Sequence, residues 1–589
     1  MFERLIQKKY FAGSLAFCFY LFLTLLLTYP LINNFFKALP GNGGDSFVFV
    51  WNNWWVKYSL FNLGQNPYFT EYLAYPFRVN LVFHSLTFFN SLVSLPLSVI
   101  FNQVAAFNTY FIFSLVFASL SMYALLRYLF NSFYLALSGG VLFVFNSYIY
   151  GEMTGHFNYT TIFLIPLFVL FYLKIFNERE MKNSLFAAAV LSASFYNDFY
   201  YTIGLLIFAL IYACWRLAKD KIIFGAIYKK ILLFVVVWLL LSSPLLFLSV
   251  KASLSGAFPQ PNLKQINLYS PDIRSLIIPS TSNIFWGASF QNHYDSLRFH
   301  GGIIYLSFCI ILLALFGYFY GKEKPSSNNS KFWLISSISF LFLTLGPFLY
   351  LDGYMFRLDG EIFTIPLPYI ALYFVPFFKG ILVPARFIIF LIFSLIILGG
   401  FFLETVYSKL GDRKILKSCL AAAIMGVFIL ENLSIPIPVS SADVPEFYHR
   451  LAGDKGDYAL LELPFALSTS FYTLGGVTSS SKLEYYQTIH HKKILGGWIS
   501  RVPDSYYNFY NGSVGLNRLL NPFKKPEAQE IVPVKENIRS DFAKLNIGYI
   551  IIHPEYYNHQ TLRNSVDYLN LVYDRKPELI DNLLVYKIN

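Results

Sequence analysis

Apolar stretches close to the length of a bilayer-spanning helix recur from Leu15 to about Leu433 and then stop. A helix needs roughly 20 mostly apolar residues to cross the hydrocarbon core of a membrane. This pattern predicts about eleven transmembrane helices of that length. They lie near residues 11–30, 105–127, 133–150, 158–176, 183–197, 200–217, 229–250, 301–320, 331–350, 384–408 and 414–433. The sequence therefore predicts a mainly α membrane domain at 1–433, followed by a more polar domain at 434–589.

Composition supports the membrane assignment. Hydrophobic residues make up 56% of the 589 residues and charged residues only 13%, whereas about 25% is usual for charged residues in soluble domains. The formal net charge is +12, but the Lys and Arg residues form short clusters between the apolar stretches. A nucleic-acid-binding protein would need them on one basic face. The clusters are instead typical of loops that set membrane topology.

The positive-inside rule assigns these basic loops to the cytoplasm, together with the N-terminus. The apolar stretch His84–Phe101 would reverse every later loop if it crossed the membrane, so we interpret it as a re-entrant or surface-lying helix. The proline-containing stretch Ile365–Phe378 has the same interpretation. The predicted protein lies in the plasma membrane, with a long first outer loop at about residues 31–104 and an extracytoplasmic C-terminal domain.

The C-terminal region has the pattern of a small α/β domain. Short apolar runs such as Tyr458–Leu463, Tyr549–Ile552 and Leu583–Ile588 are typical of strands, and turn residues lie between them. All four cysteines of the chain fall within predicted membrane helices. We therefore expect neither a disulfide framework nor a cysteine metal site.

The first outer loop contains a candidate catalytic carboxylate. Gly41-Asn-Gly-Gly-Asp45 precedes an aromatic run that ends in Trp54-Trp55. Trp residues favour the membrane interface, where Asp45 could accept a proton from a hydroxyl acceptor while a lipid-anchored donor approaches. The alternative is that Asp45 is only the N-cap of the next helix, for which Asp is favoured. Both roles can hold together.

Two further candidate sites lie at predicted outer helix ends. Glu152 and His156 are four residues apart and share a face if their turn is helical, so they could supply an acid, a base or a metal ligand. An ordinary solvated turn is the alternative. Asp198 could line the same cavity, or could simply end a span at the interface.

Cationic and aromatic segments supply the other substrate-binding candidates. Arg386 begins the tenth predicted helix at its outer end, where it could bind a phosphate anion in a bidentate manner or extend to the interface as Arg commonly does. His300 is a candidate for the same task. His490 belongs to the segment 485–501, whose polar, glycine and aromatic residues could bind a saccharide or belong to the fold of the domain.

The ordered set of these pieces resembles the GT-C superfamily of integral membrane glycosyltransferases, in particular bacterial YfhO-like and related multi-span proteins. The matching pieces are Gly44-Asp45 with Trp51 to Trp55, Phe83-His84-Ser-Leu, Gly155-His156-Phe-Asn158, Val383-Pro-Ala-Arg386-Phe, Leu463-Pro-Phe and Gln487-Thr-Ile-His490. The resemblance implies an inverting transfer of a sugar from a polyprenyl-phosphate donor to an extracytoplasmic lipid, glycan or protein acceptor.

The resemblance also implies roles for single residues. Asp45 matches the catalytic acidic residue of the first loop, and Arg386 is a candidate phosphate ligand. Several branches of the superfamily have a pair of acidic residues where this chain has Asp45 alone, so we predict neither a divalent metal nor another cofactor.

Two other classes of function stay open at this stage. A lipid or glycan transporter or flippase would need polar residues at mid-depth in the membrane, and these are scarce here. An envelope assembly protein could bind a glycan through its outer domain. The sequence does not distinguish between a donor with one phosphate and a donor with two.

Overall fold

The computed structural model describes residues 9–588 except 220–222, 296, 298–301, 322–328, 352–353, 356, 359–360, 363, 376–377 and 477–479. The chain packs as two compact units. The first, here called the helical unit, is assigned Met1–Asn34, Asn108–Ser243 and Gln260–Pro438. The second, here called the mixed unit, is assigned Phe35–Phe107, Pro244–Pro259 and Val439–Asn589.

Every predicted membrane helix coincides with a helix of the structure, which confirms the mainly α class. Their bounds are Lys9–Leu27, Gln103–Phe130, Phe133–Val144 followed by Ser147–Glu152, Leu164–Asn177, Lys182–Asn197, Phe199–Lys219, Ile223–Leu254, Phe308–Tyr320, Ser330–Thr344, Ile388–Lys409 and Lys414–Asn432. Among the described residues, six helical segments are long and apolar enough to cross a membrane. The chain is therefore a multi-span membrane protein, and both the predicted number of about eleven crossings and the orientation of its termini stay predictions.

The two apolar stretches that we excluded from the predicted spans form only short helices. His84–Phe101 contains the helices Phe88–Ser94 and Leu97–Ile100, and Ile365–Phe378 contains Tyr369–Tyr373. A crossing helix needs about 20 residues, so none of these helices spans a bilayer. The other short helices of the helical unit are Leu31–Asn34, Phe157–Thr160, Leu263–Leu268, Ile273–Leu276, Gly287–Asp295, Phe378–Gly380 and Pro384–Phe387. Its strands are Tyr350–Leu351 with Tyr354–Met355, and Arg357–Leu358 with Glu361–Ile362.

Polar residues at the end of the last membrane helix hold neighbouring helices in place. Glu431 accepts hydrogen bonds from the hydroxyl of Ser307 and from N–H groups at the start of the helix Phe308–Tyr320. The next residue, Asn432, accepts hydrogen bonds from the N–H of Ser147 at 3.0 Å and from its hydroxyl at 2.7 Å. Ser147 begins the short helix that ends at Glu152, so these bonds fix the segment that carries this candidate site residue.

The mixed unit contains the predicted α/β domain. Its five-stranded sheet has the order Lys493–Ile494, Ala459–Leu463, Ile547–Ile552, Leu583–Lys587 and Glu578–Ile580. The first three strands are parallel and the last two pairs are antiparallel. The helices of the C-terminal region are Glu446–Ala452, Ser480–His490, Asp504–Gly512, Val514–Leu520, Ala528–Ile531, Val532–Val534, Lys535–Lys544, Pro554–Tyr556 and His559–Tyr573.

Residues of the first loop belong to the same unit as the C-terminal region. The strand Ala38–Pro40 pairs with Val439–Ser441 in an antiparallel manner, and the helix Gly44–Phe61 packs against Ser480–His490. Smaller sheets join Ala466–Ser468 to Thr473–Gly475 and Gly497–Trp498, and Phe69–Thr70 to Val79–Asn80. The predicted domain boundary near residue 433 was placed where the apolar stretches of the sequence end. The mixed unit, in contrast, is assembled from segments that are distant in sequence.

The tryptophans of the first loop form part of the core of the mixed unit. Trp51 and Trp55 are fully buried, and Trp54 is 4% exposed. The indole N–H of Trp51 donates to the side-chain oxygen of Gln487 at 2.6 Å. The amide nitrogen of Gln487 in turn donates to the backbone oxygen of Tyr72 at 2.6 Å. These indoles therefore pack against protein. In the sequence, a run of tryptophans is equally typical of residues at a membrane interface.

Candidate functional site

Asp45 lies in the first turn of the helix Gly44–Phe61 and is partly exposed. The N-cap position belongs to Gly43, whose φ of 95° suits a residue without a side chain. Asp45 is therefore not the N-cap itself. A carboxylate in the first turn is still favoured by the helix dipole, so the helical position accounts for an acidic residue here without excluding a chemical role.

A second carboxyl group, which the sequence analysis missed, lies near Asp45. Glu484 is fully buried, and one of its oxygens accepts a hydrogen bond from the backbone N–H of Trp498. Its other oxygen has no hydrogen-bond partner among the described residues. Burial first, and the charge of Asp45 in addition, raise the pKa of Glu484 well above its usual range. Burial therefore favours the neutral, protonated form of Glu484.

A local signal for Glu484 exists in the sequence. It precedes Gln487 by three residues on the helix Ser480–His490, so both side chains lie on one helix face. Gln487 bonds to Trp51 of the first loop, and Glu484 is influenced by Asp45 of the same loop. The face that carries Glu484 and Gln487 differs from the other faces of this helix only in its contact with the first loop. The first loop is remote in sequence, so the contact could not be predicted.

Burial lowers the pKa of two buried histidines of the mixed unit, His84 and His490, and so favours their neutral form. His84 lies 3.1 Å from the side-chain oxygen of Asn52, and burial lowers its pKa to about 3. His490 accepts a hydrogen bond from the N–H of Lys492 at 2.9 Å and stacks on Tyr448. Burial, assisted by His491 and Lys492, lowers the pKa of His490 to about 3. His490 therefore lies in the core of the domain, and its predicted contact with substrate stays untested.

The helical unit brings four predicted site residues together. Arg386 is partly exposed, and its guanidinium carbon lies 4.1 Å from the ring centre of Tyr159 and 4.7 Å from that of Tyr200. Within the part of the chain that the structure describes, this guanidinium forms no hydrogen bond or ion pair with another side chain. Its N–H donors are therefore available to an anion. Glu152 and Asp198 are close enough to interact with Arg386 electrostatically.

Asp198 both caps a helix and belongs to this cluster. One carboxylate oxygen accepts hydrogen bonds from the N–H groups of Tyr200 at 2.7 Å and Tyr201 at 3.2 Å. The other accepts a hydrogen bond from the side chain of Asn158 at 2.9 Å. Burial raises the pKa of Asp198, and Arg386 together with these three donors opposes the effect of burial. Asp198 therefore caps the helix Phe199–Lys219. Its predicted places, lining a cavity or ending a span at the membrane interface, stay predictions.

Tyr200 connects the Asp198 cap to the segment that carries Arg386. Its ring faces the guanidinium, and its hydroxyl accepts hydrogen bonds from the N–H groups of Leu382 at 2.9 Å and Val383 at 3.1 Å. Val383 is followed by the short helix Pro384–Phe387, which contains Arg386. Tyr200 thus holds the backbone before Arg386 through its hydroxyl and contacts the Arg386 guanidinium through its ring.

Glu152 and His156 form a close pair. The Nδ1 atom of His156 lies 3.2 Å from a carboxylate oxygen of Glu152, and the side chains are 48% and 7% exposed, respectively. A buried carboxylate can fix the orientation of an imidazole that is open to solvent. The Glu152 carboxyl group is thus buried in this turn while His156 is open to solvent, and an acid, base or ligand role for the pair stays a prediction.

The remaining predicted site residues are not part of this cluster. Asp45 and His490 belong to the mixed unit, and His300 lies outside the described residues. Among the residues that the structure describes, no group of three or more His, Cys, Asp and Glu side chains is arranged to hold a metal ion. The prediction that no metal is needed stays a prediction.

No protein-family model and no curated protein sequence matches the chain. The chain is similar in structure to AglB, the oligosaccharyltransferase of the archaeon Archaeoglobus fulgidus, solved with an inhibitory peptide and a dolichol-phosphate. The sequences are 12% identical, the match covers 93% of this chain and 70% of that one, and the TM-score is 0.46.

Two further solved structures give similar values. For the arabinofuranosyltransferase AftD from Mycobacteria the identity is 11%, the coverage 94% of this chain and 38% of that one, and the TM-score 0.48. For ArnT from Cupriavidus metallidurans, bound to undecaprenyl phosphate, the identity is 11%, the coverage 97% and 98%, and the TM-score 0.48. At this level of identity and TM-score the similarities concern the fold alone, so the function of this chain is inferred from its own side chains.

The neutral state of Glu484 predicts a specific pH dependence of stability. Unfolded Glu releases its proton above its usual pKa of 4.5, whereas Glu484 keeps its proton in the folded chain. The contribution of this group to stability is therefore complete below pH 4.5 and is lost as the pH rises. Relative to Glu484→Gln, the wild-type protein should lose about 1 kcal/mol or more between pH 5 and pH 8.

Thermal unfolding of the two full-length proteins across this pH range measures the difference. Glu71→Gln, which changes an exposed residue of the same unit, is the matched control and should follow the wild-type curve. A constant gap between the wild type and Glu484→Gln at all pH values would show that Glu484 is ionised in the folded protein.

Proposed function

We propose that this chain is a membrane glycosyltransferase that moves a sugar from a polyprenyl-phosphate-linked donor to an extracytoplasmic lipid, glycan or protein acceptor. The observation that carries the proposal is the guanidinium of Arg386, held between two tyrosine rings with its N–H donors available to an anion. An arginine in this state suits a phosphate group, because its planar fork can form two parallel hydrogen bonds to phosphate oxygens.

In this proposal Arg386 stabilises the leaving group. The bond between the anomeric carbon and the phosphate oxygen breaks, and the negative charge that develops on the phosphate lies beside the guanidinium. The faces of Tyr159 and Tyr200 hold the guanidinium in place before the donor binds. Electrostatic stabilisation is most effective when the stabilising group needs no reorganisation during the reaction.

Asp45 is the proposed general base. The acceptor hydroxyl attacks the anomeric carbon as the bond to the phosphate breaks, with inversion of configuration, and the proton of this hydroxyl passes to a base, the role proposed for Asp45. Positioned bases typically contribute about 10²–10⁴-fold to such a rate. Glu152, His156 and Asp198 supply polar atoms beside Arg386 that suit sugar hydroxyls. His300 and His490 stay candidates for substrate binding.

Replacing Arg386 tests the phosphate-binding role. Arg386→Gln in the full-length protein should weaken binding of farnesyl methyl phosphate, a soluble lipid phosphodiester, by at least about tenfold, which corresponds to about 1.4 kcal/mol. Arg386→Lys should weaken it less, because Lys keeps the charge but loses the planar fork. Microscale thermophoresis of the detergent-solubilised proteins measures the affinities. Arg413→Gln, at an exposed position, is the control, and equal losses in both glutamine variants would contradict the assignment.

Replacing Asp45 separates catalysis from helix stabilisation. Asp45→Asn should lower the rate of sugar release from synthetic short-chain polyprenyl-phosphate-linked sugars by about 100-fold or more, with little change in donor affinity. Asp504→Asn is a matched control, since Asp504 also lies exposed in the first turn of a helix of the mixed unit. A flippase or an assembly protein would transfer no sugar in either form, and equal rates in both variants would reduce Asp45 to a helix-stabilising residue.

We also propose that the transfer needs no divalent metal. The motif of Asp45 has no second acidic residue, burial favours the uncharged form of the nearby Glu484, and Arg386 supplies the positive charge that a metal would otherwise bring to the phosphate. The transfer rate after dialysis against EDTA should stay within about twofold of the untreated rate. Loss of activity that added Mn²⁺ or Mg²⁺ restores would overturn this part of the proposal.

A further inference from the structure

One turn of the mixed unit places a histidine in a strained backbone conformation. His491 directly follows the helix Ser480–His490 and has a φ of 54°. The left-handed residue after a helix is most often Gly, because a side chain is disfavoured in this conformation. His491 is exposed, so packing in the core does not account for a histidine here. Backbone strain of this kind is concentrated at ligand-binding and active sites.

The imidazole of His491 belongs to a group of aromatic rings, here called the ring group, that also contains Trp54, Tyr58 and Tyr72. The centre of the His491 ring lies 5.3 Å from that of Trp54, stacked at 25°, and 5.1 Å from that of Tyr58. Tyr58 in turn stacks on Trp54 at 4.9 Å and lies 5.6 Å from Tyr72. Trp54 is buried, Tyr58 and Tyr72 are half-buried and His491 is exposed. The ring group therefore extends from the core of the mixed unit to its surface.

The fold fixes the ring group and leaves two polar atoms at its edge. The backbone oxygen of Tyr72 accepts hydrogen bonds from the side chain of Gln487 at 2.6 Å and from the N–H of Ile494 at 3.0 Å. The hydroxyl oxygens of Tyr58 and Tyr72 are 3.4 Å apart, which is long for a bond between two hydroxyls. Each hydroxyl therefore keeps hydrogen-bonding capacity for a ligand. The positions of these groups are set before any ligand binds, which lowers the cost of binding.

We propose that the ring group binds a saccharide unit of a neutral glycan. A pyranose has a flat face of C–H groups and a rim of hydroxyls, so its face can lie on an aromatic ring while adjacent hydroxyls bond to the two tyrosines. In the proposed transfer this saccharide belongs to a glycan acceptor, and in that respect the inference rests on the proposed function. The local alternative is that the Nε2 atom of His491, 3.0 Å from the backbone oxygen of Thr488, only completes the helix end.

Binding of neutral oligosaccharides to the full-length protein tests the inference in the absence of any donor. Cellotetraose and chitotetraose are suitable probes, because their β-linked pyranose units have flat C–H faces. The protein is held in phosphatidylcholine nanodiscs, since detergents with sugar headgroups would compete for the site. Isothermal titration calorimetry should give a Kd of about 1 mM or lower for at least one of the two probes.

Two substitutions locate the binding at the ring group. His491→Asn removes the imidazole but keeps a residue that tolerates the left-handed conformation, and it should weaken binding at least about fivefold. Tyr72→Phe keeps the ring and removes one hydroxyl, and it should weaken binding about threefold or more. His449→Asn, at an exposed histidine of the helix Glu446–Ala452, is the matched control and should bind as the wild type does. Thermal unfolding of each variant shows whether the fold is retained.

The possible results separate this inference from the proposed function. If neither probe binds at about 10 mM, the saccharide site is wrong, while sugar transfer by the same preparation would leave the proposed function standing. Binding that His491→Asn and Tyr72→Phe both leave unchanged would place the saccharide elsewhere and reduce His491 to a helix-end residue. A loss of binding in His449→Asn as large as in His491→Asn would also contradict the assignment.

Discussion

The arrangement of the helical unit depends on how it accommodates one arginine at the start of a membrane helix. An ionised side chain at such a position is costly unless protein groups replace the lost water. Two tyrosine faces provide part of this replacement through cation–π contacts, and two acidic residues provide the opposite charge. Tyr200 also holds the backbone just before Arg386 through its hydroxyl. These contacts stabilise the guanidinium without a direct ion pair. Its N–H donors are therefore able to bind an anion.

The mixed unit depends on a different contact, between the aromatic helix of the first loop and the helix Ser480–His490. Trp51 and Gln487 are joined by a hydrogen bond although 436 positions separate them in the chain. Gln487 also holds the backbone of the first loop at Tyr72. Buried polar groups of this kind must be paired to be tolerated, so the bonds made by Gln487 fix how the two segments pack. The surroundings of Asp45 are consequently formed by residues of the first loop and of the C-terminal region.

The helices were predictable because each apolar run is long, and the strands because their apolar runs are short and are separated by turn residues. Arg386, Asp198, Glu152 and His156 were identified because polar residues are rare in this composition and fall at predicted helix ends. The contact between Glu152 and His156 was predictable from their spacing of four residues. The approach of Asp198 to Arg386 was not predictable, since these two residues lie on separate segments. Glu484 was missed because its burial is created by the first loop, and the tryptophans were placed at the membrane interface because a buried indole and an interfacial indole have the same sequence pattern.

Asp45 and Glu484 differ in burial, and this difference affects which of them can accept a proton. A base must be ionised before the reaction, and a second negative charge nearby would favour its protonated form. Burial keeps Glu484 neutral, so this carboxyl group adds no such charge beside Asp45. Asp45, in contrast, is partly exposed in the first turn of a helix, where the helix dipole favours a negative charge. Two acids of similar intrinsic strength thus lie in different environments, one buried and one open to water, and such a difference in environment separates the pKa values of paired acids in enzymes.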